Sequence, residues 1–320
     1  MSTEKGKNES TRNLLVPLLR SGDIIGLASP SWLATEESIA PAVAALESLG
    51  YRVRLAPYIY AHGWDYAAAP EERADSFNAL IRDPDVRMVF FGGGEGADDI
   101  VPLLDYEAVR RDPKLYLSYS DGTSILNAIH AKTGLITLYG QTPGRIPDTV
   151  DRHPTDYNLR QFTAFTTSRP KCHTAAASWY PLVPGRAEGT LVGGYLANTI
   201  FAAATGQLVP ETEEDLVLFV EDNRMFNGIE ALSAHIARLE QCGVMPRVRG
   251  LLFGHYSIPV DEQVLTRLTR LGEKWRIPVA YCDDFGHGEN SAILPIGVRA
   301  AMDTGKGTLE YNWEKKPEER

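Results

Sequence analysis

Short apolar runs alternate with amphipathic segments along most of this chain, and that alternation restricts its fold more than any other feature. In the first half, it predicts strands at residues 23–28, 51–56, 86–91, 114–117 and 135–139, and helices at residues 36–49, 71–81 and 123–132. In the second half, it predicts strands at 216–220, 250–253 and 278–282, helices at 227–241 and 262–275, and a closing hairpin at 298–311. Strands separated by helices form mostly parallel sheets that are covered on both faces. The chain is therefore predicted to be an α/β protein.

The 320 residues, of which 43% are hydrophobic, suffice for two domains with separate cores. A looser stretch rich in Pro, Thr and Ser, residues 144–188, lies between the two regular halves, and we expect it to contain a helix flanked by a linker and an active-site loop. We therefore expect an N-terminal domain at 14–165, a linker and active-site loop at 166–188, and a C-terminal domain at 189–320. The polar residues 1–13 are predicted to be a disordered tail.

Composition argues against several classes of protein. The net charge of −10 and the lack of Lys/Arg clusters disfavour nucleic-acid binding. No run approaches the roughly 18 apolar residues of a membrane span, and no apolar signal segment begins the chain, so we expect neither membrane insertion nor secretion. The three cysteines, Cys172, Cys242 and Cys282, are far apart and form no C-x-x-C pair, which indicates a reduced, cytoplasmic protein without a zinc site.

Ser120 lies between the predicted strand at 114–117 and the predicted helix at 123–132. A serine at such a strand–turn–helix junction has the geometry of a nucleophile elbow, which exposes the hydroxyl at the edge of the sheet. The same turn places the N–H of Asp121 near a helix N-terminus, where it can face a developing oxyanion. The motif here is S-x-S-x-G rather than G-x-S-x-G, and serine is also a common helix N-cap. From this motif alone, both roles stay open.

An acid and a histidine follow Ser120 at the ends of two later strands. Glu221 directly follows the apolar run at 216–220, and His287 comes shortly after the predicted strand at 278–282. Because α/β enzymes place their sites at the carboxyl edge of the sheet, both are candidate partners for a nucleophilic serine. A loop or capping acid and a hydrogen-bonded turn histidine are the alternatives.

The run Gly-Gly-Gly-Glu-Gly at 92–96 follows the predicted strand at 86–91. It lacks the Lys-Ser/Thr of a P-loop and the full spacing of a dinucleotide fingerprint. Next to the elbow, Gly93 or Gly94 is a candidate for a second oxyanion N–H, because glycine lets the backbone approach a ligand closely. A tight strand–helix turn is the alternative reading.

Six segments, taken in order, resemble the LD-carboxypeptidase family of serine peptidases, which includes the microcin C immunity proteins. They lie at residues 18–31, 72–84, 112–121, 189–196, 219–222 and 285–297. The segments include Ser-Gly-Asp-Ile-Ile, Tyr-Ser-Asp around Ser120, Phe-Val-Glu-Asp around Glu221 and Phe-Gly-His ending at His287. The resemblance covers nearly the whole chain after the tail.

This resemblance implies roles for the candidate residues. Ser120 would be the nucleophile, His287 the general base and Glu221 the acid that orients the histidine. The N–H groups of Asp121 and of Gly93 or Gly94 would form the oxyanion hole. The implied reaction is amide hydrolysis through an acyl-enzyme, with neither metal nor cofactor. The implied architecture is a flavodoxin-like N-terminal domain and a smaller α/β C-terminal domain, with the active site between them, in a cytoplasmic homodimer.

The chain departs from the family pattern at several positions. Ser118 replaces the first glycine of the family's Gly-Tyr-Ser-Asp, and Tyr195 replaces the asparagine of Gly-Gly-Asn-Leu. Gly92 stands where peptidoglycan-recycling members often carry an arginine, which immunity members also lack. Immunity members stack a loop tryptophan on the nucleotide base, and Trp179 and Tyr180 fall in the comparable loop. Packing of Trp179 in the domain linker is the alternative.

We therefore predict a serine hydrolase that cleaves an amide bond in a small peptide or a peptide–nucleotide conjugate, as in the immunity branch. Trp179, Tyr180 and Tyr195 are expected to contact the substrate, and no nucleic-acid or membrane partner is expected. One alternative is an LD-carboxypeptidase that releases terminal D-Ala from murein tetrapeptides. Another is a ligand-binding homologue without catalysis. A glutamine amidotransferase-like enzyme is disfavoured because it needs a cysteine where Ser120 stands.

Overall fold

The computed structural model describes residues 15, 18–63, 67–150, 156–210 and 215–314. The tail predicted at residues 1–13 lies outside these described residues. Within them, the chain forms two sheets with helices packed against both, as predicted for an α/β protein. None of the described helices combines the length and the apolar character needed to cross a bilayer.

The first sheet has a flavodoxin-like strand order. Its strands are β1 (Ile24–Ala28), β2 (Arg52–Leu55), β3 (Val86–Phe91), β4 (Leu115–Ser118), β5 (Thr137–Tyr139) and β11 (Leu294–Ile296). They lie in the order β2-β1-β3-β4-β5-β11, and every neighbouring pair is parallel except β5 and β11. A parallel sheet of order 2-1-3-4-5 is the flavodoxin-like arrangement, so this part of the fold prediction is confirmed.

Helices flank this sheet and begin or end at recognisable local signals. They are α1 (Glu36–Ser48), α2 (Pro70–Arg82), α3 (Ala97–Ile100), α4 (Tyr106–Arg111), α5 (Thr123–Thr133), α6 (Arg145–Val150) and α7 (Tyr157–Thr167). Thr35 and Ser38 form a capping box at the start of α1, and Gly134 ends α5 in the left-handed region, with φ 72°. These signals explain why the sequence places α1 and α5 to within one residue at each end.

The second sheet is mixed, with a parallel centre and antiparallel edges. Its strands are β6 (Tyr180–Val183), β7 (Arg186–Tyr195), β8 (Leu216–Glu221), β9 (Val248–Phe253), β10 (Val279–Tyr281), β12 (Arg299–Asp303) and β13 (Thr308–Asn312). They lie in the order β13-β12-β7-β8-β9-β10-β6, in which β7 to β10 are parallel. The helices α8 (Leu196–Ala204), α9 (Ile229–Gln241) and α10 (Glu262–Trp275) connect the parallel strands.

Two regions differ from the sequence-based expectation. The stretch at 144–188, for which the sequence predicts one helix, contains two helices, α6 and α7, and also the edge strand β6. Strand β11, although within the segment 189–320, pairs with β5 in the first sheet through three residues that include Pro295. Proline is tolerated there because β11 lies at the edge of the sheet. Both strands depend on partners far away in sequence, which local periodicity does not reveal.

Polar contacts hold α5 against β7 and α8. Asn127 Nδ2 donates to the carbonyl oxygen of Gly193 at 2.9 Å, and the N–H of Tyr195 donates to Thr123 Oγ1 at 2.9 Å. Asn198 Nδ2 donates to Asp121 Oδ1, also at 2.9 Å. These bonds place the turn that follows β4 directly beside the turn that follows β7. The carboxyl edges of the two sheets therefore face each other, which is what a site shared between two halves of the chain requires.

Candidate active site

Ser120 lies in the sharp turn between β4 and α5, where it begins a single 3₁₀ turn. Its φ angle of 56° falls in the left-handed region that residues other than glycine seldom adopt. A Cβ at Gly93 would lie 2.8 Å from Ser120 Cβ, and a Cβ at Gly122 would lie 2.2 Å from Ser118 Oγ. Glycine is thus needed on both sides of the turn. A strained strand–turn–helix junction of this kind has the geometry of a nucleophile elbow.

Ser118, the other hydroxyl of the motif, belongs to the interior of the protein. It is fully buried, and its Oγ donates to the carbonyl oxygen of Phe91 at 2.8 Å. Its side chain takes up space that the missing first glycine of the motif would leave open. Ser118 therefore serves the packing of β3 against β4, and Ser120 presents the accessible hydroxyl.

A continuous hydrogen-bonded chain connects Ser120, His287 and Glu221. Ser120 Oγ lies 3.0 Å from His287 Nε2, and His287 Nδ1 lies 2.9 Å from Glu221 Oε2. Glu221 ends β8 and is completely buried, whereas His287 lies in the turn after β10. The network assigns the proton to Nδ1, which leaves Nε2 to accept the serine proton. The structure thus brings together three side chains that are far apart in sequence.

Tyr139 is a component of the site that sequence reasoning missed. Its hydroxyl donates to Glu221 Oε1 at 2.7 Å and accepts the N–H of Ser120 at 3.2 Å. Burial, and then the charge of Glu221, raise the pKa of Tyr139 well above its ordinary value, so the phenol stays protonated as a donor. The sequence feature that could have identified Tyr139 is its position at the end of β5, because β5 is the strand next to β4, which leads to Ser120.

Gly93 and Gly94 lie beside Ser120, where an oxyanion hole is expected. Neither N–H has a hydrogen-bond acceptor among the described residues. Gly94 has a φ of 140°, and a Cβ there would lie 2.1 Å from the carbonyl oxygen of Ser31, so this loop is tightly packed against the segment after β1. Asp121 is the second residue of the turn into α5, and its carboxylate accepts the N–H of Ala97 at 2.7 Å. The loop and the turn are thereby held together.

A cavity of ≈ 570 Å³ opens next to Ser120. It lies beyond the carboxyl ends of β1 and β3, where the strand order of the first sheet reverses, which is the usual ligand site of such sheets. The side chains that define its chemistry are Trp32, Glu95, Tyr119, Ser120, Asp121, Tyr195, Asn198, Phe226 and His287. No lysine or arginine is among the described residues that line it.

The structure places two of the three predicted substrate-binding aromatics away from this cavity. Trp179 is buried, and Tyr180 lies on β6, where its ring packs edge-on to Tyr281 at 5.8 Å; neither lines the cavity. The expectation that they contact substrate is therefore not supported by this arrangement. Tyr195 does line the cavity, and its ring lies edge-on to His287 at 5.5 Å.

A buried carboxylate explains the position of Trp179. Asp284 Oδ2 accepts Trp179 Nε1 at 2.8 Å and lies 2.8 Å from His173 Nε2, while Oδ1 accepts the N–H of Ala176 at 2.8 Å. Burial alone raises the pKa of this carboxyl, but these hydrogen bonds outweigh it and hold the pKa below its ordinary value. Trp179 thus anchors its loop to the turn that carries His287.

Both halves of the chain match one protein family. Residues 25–140 match the LD-carboxypeptidase N-terminal domain, and residues 188–302 match the LD-carboxypeptidase C-terminal domain. A putative carboxypeptidase of Vibrio cholerae is 31% identical over 94% of this chain and 99% of its own length. A probable murein peptide carboxypeptidase of Bacillus subtilis is 30% identical over 91% of this chain and 92% of its own length.

A microcin immunity protein is similar in both sequence and structure. The microcin C7 self-immunity protein of Escherichia coli is 27% identical over 91% of this chain and 93% of its own length. A microcin C7 self-immunity protein solved without ligand superposes with a TM-score of 0.82 and 25% identity, covering 94% of this chain and 99% of that chain. Both branches named by the sequence resemblance are therefore represented among its relatives.

The elbow geometry generates a prediction about the two serines. Ser120→Ala should lower turnover by roughly 10³-fold or more, because the hydroxyl that lies 3.0 Å from His287 is removed. Ser118→Ala is the matched control and should retain most of the activity while losing some stability, because the Ser118 hydroxyl bonds to backbone carbonyl oxygens and not to His287. Turnover and thermal unfolding of both variants check this. An inactive Ser118→Ala enzyme beside an active Ser120→Ala enzyme would show that the elbow has been assigned to the wrong residue.

The bridging role of Tyr139 generates a second prediction. Tyr139→Phe keeps the ring and removes the bonds to Glu221 and to the N–H of Ser120, so kcat should fall about 10- to 100-fold with little change in KM. Tyr116→Phe is the control, because the Tyr116 hydroxyl is equally buried and has no partner among the described residues. Steady-state kinetics on both variants decide the matter. Equal losses of kcat in the two variants would show that the bonds of the Tyr139 hydroxyl to Glu221 and Ser120 have no specific role in turnover.

Proposed function

Because the chain belongs to the LD-carboxypeptidase family of serine peptidases, we propose that it hydrolyses an amide bond with Ser120 as nucleophile, His287 as base and Glu221 as orienting acid. The observation that carries this proposal is the chain of hydrogen bonds from Ser120 Oγ through the His287 ring to Glu221. It borders a cavity of ≈ 570 Å³, a size suited to a small-molecule ligand.

The geometry supports a two-step reaction. Ser120 Oγ attacks the substrate carbonyl carbon while His287 Nε2 takes the hydroxyl proton, and the Glu221 carboxylate stabilises the imidazolium that forms. The N–H groups of Asp121 and of Gly93 or Gly94 would receive the oxyanion. The C–N bond then breaks as His287 returns the proton to the leaving nitrogen, which produces an ester on Ser120. Water, deprotonated by His287, hydrolyses that ester and releases the carboxylic acid and the free serine.

A peptide–nucleotide conjugate is the substrate class that the cavity supports best. Trp32 and Phe226 line it with about half of each side chain exposed, and an aromatic face of this kind can stack on a purine. A microcin C7 self-immunity protein with 25% identity and a TM-score of 0.82 has been solved in complex with aspartyl sulfamoyl adenosine. Trp32 replaces Trp179 as our candidate for base stacking, because Trp179 is held by Asp284.

Release of terminal D-Ala from murein tetrapeptides is the second candidate, favoured by the similarity to the murein peptide carboxypeptidase. Such a substrate ends in a free carboxylate, which arginine binds well through two parallel hydrogen bonds. Gly92 stands at the family's arginine position, and Arg145, which follows the lining residue Gly144, already donates to the carbonyl oxygen of Gly288 at 2.9 Å. This candidate is therefore ranked second.

A catalytically silent homologue is disfavoured because His287 lies within hydrogen-bonding distance of both Ser120 and Glu221. The cytoplasmic location and the homodimer implied by the family resemblance stay predictions. Mass photometry of the purified chain would measure its oligomeric state directly.

The substrate proposal predicts a ranking and a variant effect. The enzyme should cleave an aminoacyl-sulfamoyl adenosine with a higher kcat/KM than an L-Lys–D-Ala tetrapeptide. Trp32→Ala should raise KM for the adenosine conjugate by about 5- to 150-fold, the factor that loss of one stacked ring implies, and should spare the tetrapeptide. Tyr58→Ala, which removes an exposed aromatic outside the cavity lining, is the matched control.

Two results would contradict this ranking. Cleavage of the tetrapeptide alone would assign the protein to the carboxypeptidase branch despite Gly92. Equal losses on both substrates in Trp32→Ala would show that this ring supports the loop between β1 and α1 rather than a nucleotide base.

A further inference from the structure

We propose that Glu95 makes the cavity selective for substrates that carry an ammonium group on the residue whose carbonyl is attacked. This inference rests on the proposed function and specifies the substrate class of the same site. Glu95 is the acidic residue of the run at 92–96, and the proposed triad gives it no role.

The backbone holds Glu95 firmly beside the nucleophile. Its N–H donates to the carbonyl oxygen of Ser31 at 2.8 Å, and it lies between two glycines in positive φ, Gly94 at 140° and Gly96 at 101°. Two residues earlier, Gly93 lies so close to Ser120 that a Cβ there would be 2.8 Å from the serine Cβ. Glu95 and Ser120 line the same cavity. The carboxylate is therefore positioned by the loop that also frames the reacting serine.

The Glu95 carboxylate has no partner within the part of the chain that the structure describes. No hydrogen bond or ion pair joins it to any described residue, and its side chain is exposed. By contrast, Asp121 accepts bonds from Ala97 and Asn198, and Asp99 is paired with Arg73. In the run at 92–96, the Glu95 carboxylate is thus free to bind a ligand.

Without a bound cation, the surroundings of Glu95 favour the neutral form of its carboxyl. Although exposed to the cavity, the Glu95 carboxyl is partly shielded from water by the loop, and this shielding, followed by the charges of Asp121 and Asp98, raises its pKa above the ordinary value. No lysine or arginine is among the described lining residues, so none of these lining residues pairs a cation with Glu95. An ammonium brought by the substrate would offset these negative charges, because opposite charges a few ångströms apart attract strongly where water is partly excluded.

Both candidate substrates carry an ammonium on the residue whose carbonyl would be attacked. An aminoacyl-sulfamoyl adenosine has an α-ammonium one carbon from the carbonyl that Ser120 would attack. An L-Lys–D-Ala tetrapeptide has the ε-ammonium of lysine on the residue that provides the carbonyl. The inference can therefore be tested under either candidate function, and it disfavours substrates whose acyl residue carries no ammonium.

The test compares substrates that differ only in this charge. The first pair is an aminoacyl-sulfamoyl adenosine and its α-hydroxy analogue, and the second is an L-Lys–D-Ala tetrapeptide and its norleucine counterpart. The wild-type protein should prefer the ammonium member by about 10- to 100-fold in kcat/KM, the range expected for one charged hydrogen bond. Glu95→Gln should bring that ratio towards one by lowering kcat/KM for the ammonium member.

Glu71→Gln, which alters an exposed glutamate on α2 outside the cavity lining, is the control and should keep the wild-type ratio. A wild-type ratio near one, or an equal loss on both members of a pair in Glu95→Gln, would overturn this inference while leaving the proposed hydrolase intact. Failure of the wild-type protein to cleave any of the four compounds would instead overturn the proposed function, so the two failures are distinguishable.

Discussion

The buried carboxylate of Glu221 is the interaction on which the rest of the site depends. An ionised carboxylate is costly to bury unless hydrogen bonds and an opposite charge compensate it. Tyr139 from the first sheet and His287 from the turn after β10 each donate to one of its oxygens, at 2.7 and 2.9 Å. Because these donors come from both halves of the chain, compensating the charge also brings the two sheets together. The same contacts therefore support the fold and align the proposed triad.

Close backbone approach is the second constraint. Gly93 approaches Ser120 from β3, and Gly286 approaches Glu221 so closely that a Cβ there would lie 3.0 Å from Oε2. Tyr119, Tyr195 and Phe226 surround the His287 ring with centroid distances of 4.8 to 5.5 Å. This packing limits the ring to orientations in which Nδ1 faces Glu221 and Nε2 faces Ser120. Order of this kind lets a serine, which is a weak nucleophile by itself, be activated by its neighbour.

The sequence predicts what depends on neighbours along the chain and misses what depends on contacts across it. The positions of Ser120, Glu221 and His287 near the edges of the sheets can be predicted, because strand and helix periodicities show where each strand ends. The role of Tyr139 cannot be predicted in this way, because it depends on a hydrogen bond from its hydroxyl, in the first sheet, to Glu221, in the second sheet. The loop position of Trp179 predicts a contact with substrate, but its indole N–H donates to the buried carboxylate of Asp284, 105 residues away in sequence. Likewise, β11 is too short for a periodic signal and exists only because β5 offers an edge.

Labelling with a fluorophosphonate, followed by peptide mass spectrometry, would identify which serine of the protein is activated. Such a probe forms a covalent bond to an activated serine and releases fluoride, so the site and rate of adduct formation report the nucleophile and its activation. We expect one adduct on Ser120 in the wild-type protein, and labelling slowed by about 10²-fold or more in His287→Ala. An adduct on Ser118 or another serine, or labelling of Ser120 at an equal rate without His287, would contradict this expectation.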